Sequence, residues 1–195
     1  MTNDKDMQGH ISGSFSSSQK PPPGLSPALQ HPKSAEILRE ARDILSQIPT
    51  GRILLQVWDH YKIPVYVMSG REITFTNPDE YSVYLMVTPS YAKTPDLVAL
   101  ALACGIRDVE HAYVGFKRPD KDLDPIDYAA AIFSKELDIT CKMCIIADEL
   151  KENLGYTKAL DLVFELGHDD VYKAQKANAD FQTIANLWVD DSVEE

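Results

Sequence analysis

The stretch Asp96–Tyr113, DLVALALACGIRDVEHAY, limits the fold more than any other part of the chain. On a helix advancing about 100° per residue, Leu97, Leu100, Cys104, Arg107, Asp108, His111 and Gly115 share one sector. Val98, Ala101, Leu102 and Val109 occupy the opposite one. The first half of the helix is thus apolar on every side, the mark of a segment enclosed by the rest of the molecule. Whatever else the chain forms has to wrap around it. The second half draws three polar groups, Arg107, Asp108 and His111, onto one face. Glu110 points about 100° away from His111, toward solvent or a neighbour.

Punctuation elsewhere supplies the elements that do the wrapping. Ser34 can cap a helix through SAEILREARDILSQI, Pro49-Thr50-Gly51 interrupts it, and RILLQVWDHY resumes it. Three short β-patterned runs follow, PVYVMS (64–69), EITFTN (72–77) and YSVYLMV (81–87). Turn residues separate them, Ser69-Gly70-Arg71 and Asn77-Pro78-Asp79-Glu80. This predicts a small, mostly antiparallel sheet with Ser69-Gly70 at a hairpin. After Pro89 the pattern is helical: about 94–117 with Thr94 as cap and Pro95 at the first position, then Pro125–Leu154 between DLDP and Gly155. Shorter helices are expected near 156–166, 169–178 and 180–190. The fold class is α+β.

Residues 1–33 differ in kind. Ser, Pro and Gly dominate, the PPP run disfavours helix, and no apolar period is present, so this segment is expected to be a disordered tail. Its PPPGLSP could serve a partner as a polyproline-type ligand or act as a spacer. The folded domain is expected over 34–191, with an acidic end at 192–195. Charge narrows the partners. Residues 1–118 carry 12 acidic and 12 basic groups, whereas residues 119–195 carry 18 and 7 and supply the whole net charge of -11. An acidic half with no basic stripe argues against nucleic acid and against anionic membrane surfaces. With no membrane-length apolar run and no signal-like start, a cytoplasmic location is expected, with an unidentified protein or peptide as the partner.

The helix over 125–154 poses a question of its own. Glu136 falls on a face with Ala129, Ile132, Phe133, Thr140, Met143, Ala147 and Leu150, and a carboxylate on an apolar stripe needs a partner. A metal, Arg107 or His111 could provide one. Lys135, Asp138, Lys142, Glu149 and Glu152 gather on the other side, as a solvated face would. The Cys141-Lys-Met-Cys144 pair lies within the same helical pattern and reads as two reduced helix cysteines, like Cys104. His10 and His31 fall in the tail, His60 ends the second helical piece, and His168 sits in the GHDD turn.

In order, SVYLMVTPSYAKTPDLVALAL, IRDVEHAY, ELDITCKMCIIADELKE and FQTIANLWVD resemble a bacterial, largely alphaproteobacterial metallopeptidase family of zincin type. There a small sheet leads into a helix reading approximately L-A-H-E-L-R-H-A, and a later helix supplies an acidic ligand. The resemblance spans about residues 36–191 and implies a zincin-like fold with a central motif helix and a helical C-terminal half. Position by position, His111 matches the second zinc-binding His and Glu136 the acidic ligand. Asp108 takes the place of the catalytic Glu, the general base, and Arg107 that of the first His. A guanidinium is always protonated and cannot ligate a cation. The HExxH motif is therefore degenerate. The resemblance implies a pseudoenzyme with no cofactor, in which Arg107 pairs with Glu136 or Asp108 and the domain binds or regulates. One alternative is an active hydrolase that holds zinc or another divalent metal through Asp108, His111 and Glu136, with Arg107 on the substrate. A second is a plain protein-interaction domain.

Overall fold

The structure, a computed structural model, describes residues 30–76, 81–88, 94–116, 119 and 122–193. The element order is α1 (Ser34–Ser46), α2 (Pro49–Tyr61), β1 (Val65–Ser69), β2 (Thr74–Thr76), β3 (Val83–Val87), α3 (Pro95–Tyr113), α4 (Pro125–Leu154), α5 (Lys158–Glu165), α6 (Asp169–Lys176) and α7 (Phe181–Val193). The class is α+β, with a three-stranded sheet. The Asn77–Glu80 turn, Pro89 and nearly all of the Ser/Pro-rich segment lie outside the described residues.

α3 is the enclosed helix. Val98, Ala99, Leu100, Leu102, Ala103, Cys104, Ile106 and Val109 are all buried, with α1 and α4 beside it and the sheet beneath. Gly105 permits the close approach to the sheet. A Cβ at that position would stand 2.7 Å from Val83 Cγ1 and 3.3 Å from Phe75 Cβ, so only hydrogen fits without a shift.

The sheet corrects the expected pairing. Its order is β1-β3-β2, with β1 parallel to β3 (Val65 opposite Val83) and β2 antiparallel to β3 (Phe75 opposite Leu85). It is mixed rather than mostly antiparallel, and Ser69-Gly70 makes no hairpin between β1 and β2. Gly70 N–H instead donates to Val87 O at 2.9 Å, steering the chain past the end of β3 before β2 begins. The physical reason is burial. Val83, Tyr84, Leu85 and Val87 are enclosed, so β3 takes the centre, while the exposed threonines of β2 suit an edge.

The folded part also begins earlier than Ser34. Gln30 bridges antiparallel to Met68, and His31 N–H donates to Val67 O at 2.9 Å. His31, expected in the tail, is buried, and its pKa is lowered by that burial and by Lys33. Ser34 does not cap α1. It is the first helical residue, and its hydroxyl donates to the carbonyl of His31.

Two carboxyl groups cap helices from a distance. Glu149 of α4, expected on a solvated face, accepts from Thr50 N–H at 2.9 Å and from Thr50 Oγ1 at 2.8 Å at the start of α2. Asp96, buried in the first turn of α3, accepts from Ala159 N–H at 3.0 Å at the start of α5. Each supplies an acceptor to one of the backbone donors that a helix N-terminus leaves unpaired. Asp124 caps α4 locally, accepting from Ile126 N–H at 2.9 Å, and Gly155 ends it in the left-handed region at φ 73°. Among the described residues no helix is long and apolar enough to cross a membrane.

Candidate functional site

α3 and α4 meet through a chain of charges. From α3, Arg107 donates through Nε to Asp138 Oδ2 at 2.6 Å and through Nη1 to Glu110 Oε2 at 2.5 Å. His111 Nε2 lies 3.0 Å from the same Asp138 oxygen. One turn away, Lys135 Nζ donates to Asp108 Oδ1 at 2.5 Å and sits 3.4 Å from Glu136 Oε1. The signs complement across the interface. α3 offers Arg107 and Asp108 on adjoining positions, and α4 answers with Asp138 and Lys135, three residues apart and so on one helix face. Phe116 closes the end of the cluster. The Lys135 ammonium lies 5.5 Å from its ring centre, and the His111 ring meets it edge-on at 6.3 Å.

The titration behaviour follows from this packing. Burial disfavours a charged Asp138, but hydrogen bonds from His111 and Arg107, with their Coulombic attraction, outweigh it and hold the carboxyl well below the usual range. Burial opposes the charges of Arg107 and Lys135 as well. Bonds to Asp138 and Glu110 in the first case, and to Asp108 and Glu136 in the second, raise both pKa values nonetheless.

The structure therefore brings Arg107, Asp108 and His111 together with α4, but through residues other than the one expected. Arg107 pairs with neither Glu136 nor Asp108, its expected partners. Glu136 is 44% exposed against 11% for Asp108, and its ion-pair partner is the neighbouring Lys135. Asp138 and Lys135, assigned to a solvated face, form the contact instead, and Glu110 turns inward to Arg107. The cause is how far burial extends along α4. Its buried line runs through Leu137, Thr140, Cys144, Ala147 and Leu150. Glu136 shares the face of Thr140, Ala147 and Leu150 but stands before that run begins, where Ala129 of the same face is exposed. Charge complementarity was the available signal: Lys135 and Asp138 share the spacing needed to meet Asp108 and Arg107.

The arrangement does not fit the divalent metal that the hydrolase alternative requires. Asp138 Oδ2 is held by a guanidinium at contact distance, where a second cation would be repelled. A ring nitrogen that donates to a carboxylate has no lone pair for a metal, so the bond to Asp138 occupies His111 Nε2. Asp108 is tied to an ammonium. Among the described residues no group of three or more His, Cys, Asp or Glu is placed to hold a metal ion. The cysteines offer no nucleophile either. Burial pushes the thiols up to about 12 for Cys104 and Cys144 and about 11 for Cys141, far from the thiolate form at neutral pH.

No family model, no curated protein and no solved structure matches the chain.

Proposed function

We propose that the chain is a non-catalytic binding domain on a zincin-like scaffold, in which a fixed side-chain cation stands where the related enzymes hold a metal. The observation that carries this reading is the contact of Arg107 Nε with Asp138 Oδ2 at 2.6 Å, beside His111 Nε2 at 3.0 Å from the same oxygen. Positions 107 and 111, one helical turn apart, converge on one carboxylate of the neighbouring helix. That is the layout of a three-ligand site with one ligand replaced by a positive charge. Asp138, rather than Glu136, is the acidic member of this layout. The charges satisfy one another, so the cluster fixes α4 against α3 and leaves recognition to the surface around it. The partner suited to an acidic helical half is a protein or peptide, not nucleic acid.

The hydrolase alternative, through Asp108, His111 and Glu136, gains nothing from the geometry, because these three groups engage Lys135, Asp138 and Lys135 respectively.

Metal analysis tests the reading. Protein purified without chelator should contain no stoichiometric zinc, whereas Arg107→His should bind about one equivalent, completing a His-His-carboxylate set. Adding Asp138→Asn to that variant should abolish the uptake, and adding Glu136→Gln should leave it intact. Stoichiometric zinc in the unaltered chain would overturn the proposal.

A further inference from the structure

The described chain joins the sheet through an ionisable ring. β3 pairs with one edge of β1, and Gln30 and His31 take the other. Gln30 bridges antiparallel to Met68, and His31 N–H donates to Val67 O at 2.9 Å. The start of α1 holds the same residue from the other side, because Ser34 N–H donates to the His31 carbonyl at 3.0 Å. The His31 ring closes the turn between them. Lys33 N–H donates to its Nδ1 at 3.2 Å. A backbone N–H can only donate, so Nδ1 carries a lone pair, the imidazole is neutral and its proton sits on Nε2.

Protonation would undo this closure in two ways. Nδ1 would become a donor facing the Lys33 N–H, and a charge would appear on a residue only 6% exposed, beside the Lys33 ammonium. The elements packed around the ring offer little to offset that charge. β1 contains no carboxylate over Val65–Ser69, and its Tyr66 phenol packs toward Tyr84, with ring centres 5.1 Å apart. On α1 the carboxylate at this end, Glu36, is engaged by Lys33 Nζ at 3.4 Å. Glu40 and Asp43 stand about one and two turns further along, interleaved with Arg39 and Arg42.

We propose that His31 is an acid-sensitive latch, whose protonation releases Gln30 and His31 from β1 and uncovers Met68 and the Val67 carbonyl. Met68 is 3% exposed while the latch is closed. The sign follows from the closed state favouring the neutral ring. Closure has its full strength above the ordinary imidazole pKa of about 6.5 and weakens as pH falls below it. The closed-to-open ratio drops by up to about tenfold for each pH unit, one proton being taken up on opening. The latch uses none of the groups in the Arg107–Asp138 cluster, so the zinc experiment and this one succeed or fail separately.

Amide hydrogen exchange of the full chain, corrected for intrinsic rates, tests this between about pH 7.5 and about pH 5.5, a range that brackets the imidazole value. Protection of the His31 and Lys33 amides should fall together, by about tenfold over the lowest pH unit. Protection of Leu102, at the centre of α3, should stay constant and report an intact fold. His31→Asn supplies an amide oxygen that can accept from Lys33 N–H but does not titrate. In that variant the protection of both amides should not change with pH. Constant protection of His31 in the parent, or an equal fall in His31→Asn, would overturn the proposal. So would a loss confined to the Lys33 amide, which would show the ring charging in place with the strand contact still closed.

Discussion

Asp138 and Glu136 stand two positions apart on one helix, and their surroundings predict opposite responses to loss of charge. Asp138 accepts from the Arg107 guanidinium and the His111 ring in a half-buried setting, so Asp138→Asn should cost about 2 kcal/mol at neutral pH, below the value for a fully buried pair because solvent reaches the group. Glu136→Gln should stay within about 0.5 kcal/mol, the usual range for a surface change. The dependence on pH separates them further. The Asp138 carboxyl is held low in the folded state by His111 and Arg107, so its stabilisation is complete above the ordinary carboxylate pKa of about 3.9 and is lost as pH falls toward its folded value. Urea unfolding between neutral pH and pH 3 should show a shallower acid decline for Asp138→Asn than for the parent or for Glu136→Gln. Equal declines in all three would show that Asp138 is not the carboxylate held by the pair.

Elements in this fold are held by their ends as much as by their faces. Glu149 presents two oxygens to the first turn of α2, and Asp96 reaches the first turn of α5 from within the core. Glu149→Ala should cost about 1–2 kcal/mol, the usual range for a lost cap. Asp96→Ala should cost about 2 kcal/mol or more, since Ala159 N–H is left buried without its acceptor, while Asp96→Asn keeps an oxygen and should recover most of it. Chemical denaturation midpoints check both. Neither cap was legible in the sequence, because each joins residues 63 or more positions apart. The elements themselves were largely legible. Pro125 and Gly155 bound α4 through local backbone chemistry, and the all-round apolar character of α3 required enclosure. Sheet pairing was not, since turn residues mark where a chain reverses without naming the strand it joins. On the site, the α3 side could be read because polar groups on an apolar helix stand out. The α4 side was misread because a wheel gives the buried face and not where along the helix its cover begins: Thr140, Ala147 and Leu150 are buried, and Ala129 on the same face is exposed.

For the molecule as a whole, α3 is the fixed reference against which sheet, α1 and α4 are placed, and α4 is the element that outruns it. Its 30 residues extend about 45 Å at 1.5 Å per residue, and among the described residues Leu137 is the first along it to be fully enclosed. Ile126, at 78% exposure, lies near its start. The ion-pair cluster at Lys135 and Asp138 therefore lies where α4 passes from an exposed start, braced at Phe133 by Trp188 at 5.2 Å, into its enclosed run. Support of this kind is visible to amide exchange. Backbone hydrogens over 137–150 should exchange only through openings that cost most of the global stability, while those over 129–132 should exchange through cheap local fraying. A step in protection at the cluster is the expected profile, and uniform protection along α4 would refute it. The same step sets where mechanical or proteolytic attack on this helix should begin: at its free end, halting at the two charges that face Arg107 and Asp108.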